Sequence, residues 1–229
     1  MKKGILGGTF DPIHRAHLEI ASCALSEYGL DEILFMPAGD PYFKEGSRVT
    51  SPSLRLEMTK ACIEEAGEPR FRCSDLEILD RNRTYTSDTI LKLRHLYPDD
   101  ILYFILGLDS LEALHTWHAP EVLLDNAVIL CAMRQKERSG NETFFHGGTG
   151  GETKETGREE DEETRFLHAV LHLKERFPQA FPDIRQLHCP MIAMSSTLIR
   201  EKAAAGEDLM PYVTPAVAHF IDDHHLYGI

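Results

Sequence analysis

The chain predicts an α/β fold in which a parallel sheet carries helices on both faces. Three observations lead there. Short, uninterrupted apolar runs occur at Gly4–Gly7, Glu32–Met36, Ile101–Leu106 and Ala127–Met133, the pattern of strands buried on both faces. Helical periodicity fills the gaps between them, at Leu18–Tyr28, Ser53–Ala66 and Ser87–His95. Strand and helix therefore alternate, which builds parallel sheets by crossover connections. In such sheets ligands gather beyond the carboxyl ends of the strands, where Gly7–His17 and Gly107–Asp109 fall.

Each element has a local rationale. The first strand runs into Gly7-Gly8, which reads as a sharp turn whose missing Cβ atoms let the backbone approach a ligand. Pro12 suits a helix entry, and Leu18–Tyr28 continues as that helix. Pro52 with Ser53 supplies a cap for the second helix. After the fourth strand the rhythm breaks. Gln135–Arg165 is rich in Gly, Glu and Thr and ends in the acidic run Glu159–Glu163. Loops beyond about 12–15 residues are uncommon within compact domains, so 135–165 reads as a mobile insertion in a single domain spanning 1–229. Its glycines are not followed by Lys-Ser/Thr, which argues against a second phosphate cradle. Helical signals resume at Phe166–Arg176 and Ser196–Ala205.

Composition narrows the function classes. At 229 residues, 42% hydrophobic and 27% charged, the chain can bury a full core and has an ordinary globular balance. Its 24 basic and 37 acidic residues give −13, which argues against general binding to nucleic acid or anionic membrane. Any phosphate chemistry must then rest on locally gathered cations. The cysteines (Cys23, Cys62, Cys73, Cys131, Cys189) are scattered without a Cys-x-x-Cys, as expected for reduced thiols in a cytoplasmic protein. No run approaches the roughly 18 apolar residues of a membrane span, and the N-terminal apolar stretch is too short for a secretory signal.

Two runs carry the chemistry. In Gly7-Gly-Thr-Phe-Asp-Pro-Ile-His14-Arg-Ala-His17, the histidines are three residues apart and share one face of a helix start. That end of a helix offers unsatisfied N–H groups and partial positive charge, a natural phosphate seat. Imidazoles there can donate to phosphate oxygens, whose charge favours the protonated rings. The glycines alone are equally a plain turn, and the histidines alone could be core, surface or metal ligands. The second run, Ser195-Ser196-Thr197-Leu198-Ile199-Arg200, is a helix start whose hydroxyls, amides and Arg200 could converge on one anion. Helix capping alone would also explain its serines.

The order of these runs resembles the nicotinate mononucleotide adenylyltransferases, within the paired-His nucleotidyltransferases. Besides the two runs, Asp75-Leu-Glu77, Thr84–Thr89, Leu106-Gly-Leu-Asp109-Ser, Trp117-His118, Met133-Arg134, Pro211–Val217 and Asp223–Tyr227 resemble that family's segments, in its order. The resemblance implies a Rossmann-like sheet and transfer of the ATP adenylyl group to nicotinate mononucleotide in NAD biosynthesis, without a protein nucleophile. It implies His14, His17 and Arg200 as catalytic residues, and Gly8, Thr9, Phe10, Lys44, Gly107, Asp109, Ser195, Ser196 and Arg200 around ATP. Tyr85, Thr86, Trp117 and His118 would surround the pyridine ring, with Arg134 at its phosphate. Magnesium would arrive with ATP, with no protein-held metal, and a homo-oligomer is left open. Two positions depart from the family pattern: Arg15-Ala16 stand where Asn-Gly is usual, and Tyr42-Phe43-Lys44 stand for Pro-His-Lys. Competing readings are nicotinamide mononucleotide or phosphopantetheine as substrate, a metal-dependent hydrolase using Asp11, His14 and His17, and a nucleotide-binding module without turnover.

Overall fold

The computed structural model describes residues 1–39, 49–80, 84–135, 161–180, 182–190 and 194–228. Six strands form one sheet: β1 (Lys2–Gly8), β2 (Glu32–Pro37), β3 (Phe71–Cys73), β4 (Ile101–Gly107), β5 (Val128–Gln135) and β6 (Ile184–Pro190). Their order is β3-β2-β1-β4-β5-β6, and every pairing is parallel. The chain leaves β1 to one side for β2 and β3, and returns to its other side for β4. The crevice beyond β1 and β4 is therefore the topological switch point of the sheet.

Four strands were legible as apolar runs, and two were not. β3 has only three residues, too short for a periodicity. β6 is an edge strand, Ile-Arg-Gln-Leu-His-Cys-Pro, whose buried Leu187 and Cys189 alternate with more exposed residues. Gly7 and Gly8 correct the expectation of a glycine turn: both lie within β1, in register with Met36 and Pro37. The turn begins after them, and its left-handed residue is Phe10 at φ 50°.

The helices are α1 (Arg15–Tyr28), α2 (Pro52–Ala66), α3 (Leu76–Leu79), α4 (Thr86–Leu96), α5 (Leu108–Ala113), α6 (Pro120–Asn126), α7 (Glu162–Arg176), α8 (Ser196–Ala204) and α9 (Pro215–Asp223). Pro12 does not open α1; it lies two residues before the cap, His14. Ser51, not Ser53, caps α2 by accepting from the Leu54 amide, and Pro52 takes the first helical position, where no N–H is needed. The expected insertion 135–165 also contracts at its ends. Gln135 closes β5, and Asp161 caps α7 by accepting from Thr164 N–H at 2.9 Å. Glu162 and Glu163 then suit the positive end of the α7 dipole. Residues 136–160 lie outside the described residues.

The core lies on both faces of the sheet. One face packs α1, α2, α8 and α9 through residues such as Ala21, Met58, Ile199 and Val217; the other packs α4 to α7 through Ile90, Leu111, Leu123 and Leu173. Among the described residues no helix is long and apolar enough to cross a membrane. All five cysteines are unpaired thiols, and burial pushes Cys62 up to about 11 and Cys131 up to about 12.

Candidate active site

The segment between β1 and α1 forms the central wall. Phe10 is buried and meets the edge of His17, with ring centroids 4.9 Å apart. A Cβ on Gly8 would come within 2.9 Å of the Phe10 ring, so the close approach at this glycine is to the protein's own aromatic ring. His14 caps α1 in extended conformation, and its amide donates to His17 Nδ1 at 3.2 Å. That acceptor role leaves the His17 proton on Nε2. The two imidazoles stack at 3.7 Å. The His17 amide donates to the His14 carbonyl, and His14 Nδ1 is buried without a hydrogen-bond partner. Burial lowers His14 to about 4; burial and then the neighbouring His14 hold His17 well below 6.5. Both rings are therefore neutral at pH 7 in the ligand-free protein. A phosphate would supply the anion that their protonation lacks.

The two sequence signatures meet at this loop. Ser196 Oγ donates to the Pro12 carbonyl at 2.9 Å, and Arg200 Nη1 to the Asp11 carbonyl at 2.7 Å. Ser195 caps α8 by accepting from the Leu198 amide at 3.2 Å. Ser196 and Arg200 thus brace the histidine loop, while Ser195 caps its own helix. On the inner side, buried Asp11 accepts from Tyr227 Oη at 2.7 Å and from the Thr50 amide at 3.2 Å. The Arg15 departure is explained here too. Its guanidinium donates to the Met210 carbonyl and its amide to the Tyr212 carbonyl, tying α1 to the C-terminal segment.

Two cavities open at the switch point and share His17, Gly107 and Ser110. The larger, of about 680 Å³, is lined by Gly8, Thr9, Tyr85, Thr86, Trp117 and His118, among others. Tyr85 stacks on His118 at 4.2 Å, and Ser87 Oγ lies 3.2 Å from His118 Nδ1. Trp117 meets Phe104 edge-on with centroids 6.3 Å apart. The smaller cavity, of about 430 Å³, contains His14, Asp109, Arg165 and Met194 in its lining. Gly107 is the residue before α5, and Asp109 projects from its first turn. Arg134 lies near the end of β5, in register with Cys189. Lys44 and Phe43 lie outside the described residues.

Two side chains at the site were given no role by the sequence reading. Arg55 is fully buried on α2 and donates to the carbonyls of Thr9 (2.6 Å), Ala38 (2.6 Å), Gly39 (2.7 Å) and Thr50 (2.9 Å). It locks the start of the histidine loop to the end of β2. A lone Arg in a helical run gives no sign of this, because its partners lie in other elements. Glu77 lines the larger cavity and accepts from Thr89 Oγ1 at 2.7 Å; burial pushes its carboxyl up, against hydrogen bonds from Thr89, Gly39 and Thr84. Its signal was its place in the Asp75-Leu-Glu77 segment. Gly39 must be glycine there, since a Cβ would sit 2.4 Å from the Glu77 carbonyl.

Comparison with known proteins identifies the family and the fold. Residues 5–202 match the cytidylyltransferase-like family. Proteins named probable nicotinate-nucleotide adenylyltransferase are similar over nearly full length. The one from Lachnoclostridium phytofermentans is 32% identical, covering 99% of this chain and 98% of that protein. Those from Dehalococcoides mccartyi and Neisseria meningitidis serogroup B are each 36% identical, covering 99% of this chain and 97% and 99% of those proteins. The fold is similar to the Plasmodium falciparum nicotinic acid mononucleotide adenylyltransferase complexed with NaAD, with TM-score 0.69 and 20% identity over 99% of this chain and 98% of that one. The same enzyme complexed with APC gives a TM-score of 0.68, at 19% identity over 99% of this chain and 96% of that one. With its switch-point site and full-length similarity, the chain belongs to the cytidylyltransferase-like family and, within it, to the nicotinate-nucleotide adenylyltransferases.

Proposed function

We propose that this protein joins ATP to nicotinate mononucleotide, giving nicotinate adenine dinucleotide and pyrophosphate. The observation that carries the reading is a pair of cavities meeting at His17, beside a buried His14 nitrogen with no partner. Two substrates in adjoining lobes would place their phosphates at one helix start. A phosphate oxygen of the mononucleotide attacks the α-phosphorus of ATP in line, and the bond to the β-phosphate oxygen breaks as pyrophosphate leaves. No covalent protein intermediate is needed, so positioning and charge stabilisation are the protein's contribution.

In this reading the smaller lobe takes ATP and the larger takes the mononucleotide. His17 Nε2–H donates to the transferring phosphate, and His14 offers its unpaired nitrogen once protonated by the incoming anion. The amides of Gly8 and Thr9 line the path between the lobes. Asp109 accepts from ribose hydroxyls; Ser196 and Arg200, braced on the loop, hold the triphosphate together with Ser195 at the start of α8, and Lys44 assists. Trp117 offers a flat face to the pyridine ring among Tyr85, Thr86 and His118, and Arg134 binds the nucleotide phosphate.

Magnesium would arrive with ATP and would supply charge neutralisation at the triphosphate. The donor chemistry fits a metal carried by its nucleotide: Asp109 and Glu112 are engaged by Arg165 in place of a carboxylate cage. The setting is the cytoplasm, where ATP and reduced thiols are found. Initial rates of pyrophosphate release with nicotinate mononucleotide, nicotinamide mononucleotide and phosphopantetheine test the assignment. The acid form should be preferred; faster turnover of either rival overturns it.

A further inference from the structure

Arg165 reaches the smaller cavity from α7, and no sequence motif includes it. Its Nε and Nη2 donate to the two carboxylate oxygens of Glu112 at 2.8 and 2.6 Å, and Nη2 also reaches Asp109 Oδ1 at 3.0 Å. Glu112 lies three residues beyond Asp109 on α5, so one guanidinium spans two carboxylates on one helix face. Glu19 and Glu162 line the same cavity, and Arg165 is its one Lys or Arg among the described residues. The Asp109 side chain is 93% exposed, so its ion pair adds little to stability. What the pairing changes is the potential seen by an arriving polyanion.

We propose that Arg165 is a positioning residue of the nucleotide lobe, neutralising Asp109 and Glu112 against the triphosphate and fixing the Asp109 carboxylate. The inference rests on reading this lobe as the ATP site. The two-point grip on Glu112 fixes the guanidinium plane, and from that plane the third hydrogen bond sets where Asp109 sits. Lysine has no planar fork and could not serve both carboxylates in this way.

The test is calorimetric titration with MgATP, without the second substrate, of wild type, Arg165→Gln and Glu112→Gln/Arg165→Gln, alongside steady-state kinetics and thermal midpoints. Arg165→Gln should weaken ATP about tenfold, since two carboxylates then face the phosphates uncompensated. The KM for the mononucleotide and the thermal midpoint should hardly move. Raising salt from about 50 to about 500 mM should shrink the difference from wild type. The double variant should recover at least about threefold in affinity, because one of the two repelling charges is gone. Unchanged ATP affinity in Arg165→Gln overturns the proposal. So does a loss that neither salt nor Glu112→Gln relieves, or one shared equally by both substrates. If wild type binds ATP but makes no dinucleotide, the functional reading fails while the ATP titrations still decide the role of Arg165.

Discussion

Replacing Arg55 with Met tests how the histidine loop is held. The side chain is 0% exposed and donates to four carbonyls, of Thr9, Ala38, Gly39 and Thr50. Methionine fills similar space but leaves those acceptors without the donor. An unsatisfied buried acceptor costs about 1–3 kcal/mol, so four would lose about 4–12 kcal/mol if none found another partner. Two effects reduce that sum. Thr9, Ala38 and Thr50 are only half-buried, so their carbonyls can recruit water. The apolar replacement also escapes the cost of holding a cation out of water. With the buried Gly39 acceptor left unsatisfied and the other three partly rehydrated, the expected net loss is about 3–5 kcal/mol, against a total stability of about 5–15 kcal/mol. Urea unfolding followed by circular dichroism measures it as a lowered midpoint with an unchanged m-value. Arg55→Lys should fall between, because one ammonium cannot span four acceptors. A loss below about 1 kcal/mol in Arg55→Met would refute the argument that these contacts hold the loop.

Other outcomes follow from the same site. His17→Ala should lower kcat by about 10²–10³-fold, the scale of one transition-state donor, with an unchanged far-ultraviolet spectrum; near-normal kcat would remove it from the chemistry. Trp117→Ala should raise the KM for the mononucleotide and leave that for ATP alone. Since Trp117 is the single tryptophan, its fluorescence in wild type should report mononucleotide binding directly. Acid stability gives a further check on His14. Its folded pKa of about 4 lies below the 6.5 of the unfolded chain, so the unfolded state takes up the proton first. Stability is full above pH 6.5, falls with acidification, and levels off near pH 4. This ring alone should remove about 3 kcal/mol between pH 7 and pH 4. His14→Gln should show a visibly shallower acid slope, and an identical slope would contradict the burial argument.

The site was partly legible because its signatures are local. His14 and His17 are three residues apart, and Ser195 to Arg200 span one helix start, so spacing alone brought each group together. Gly7 and Gly8 misled as a turn, since glycine permits positive φ without requiring it, and here pairing with β2 keeps both in the strand. Spacing also could not show that Ser196 and Arg200 donate to the Pro12 and Asp11 carbonyls, because those acceptors come from the far end of the chain. Arg15 looked like an unexplained departure until its partners Met210 and Tyr212 arrived from the far end of the chain.

Sequence by itself determined the alternation of strand and helix, the four central strands and the two signature-bearing helix starts. Those follow from backbone periodicity and from charge at helix ends, which act over a few residues. Tertiary structure decided which carbonyls Arg55 holds, that Arg165 spans Asp109 and Glu112, and that two cavities meet at His17. A buried cation is satisfied by whatever acceptors the fold delivers, often from distant segments, and no local pattern encodes that delivery.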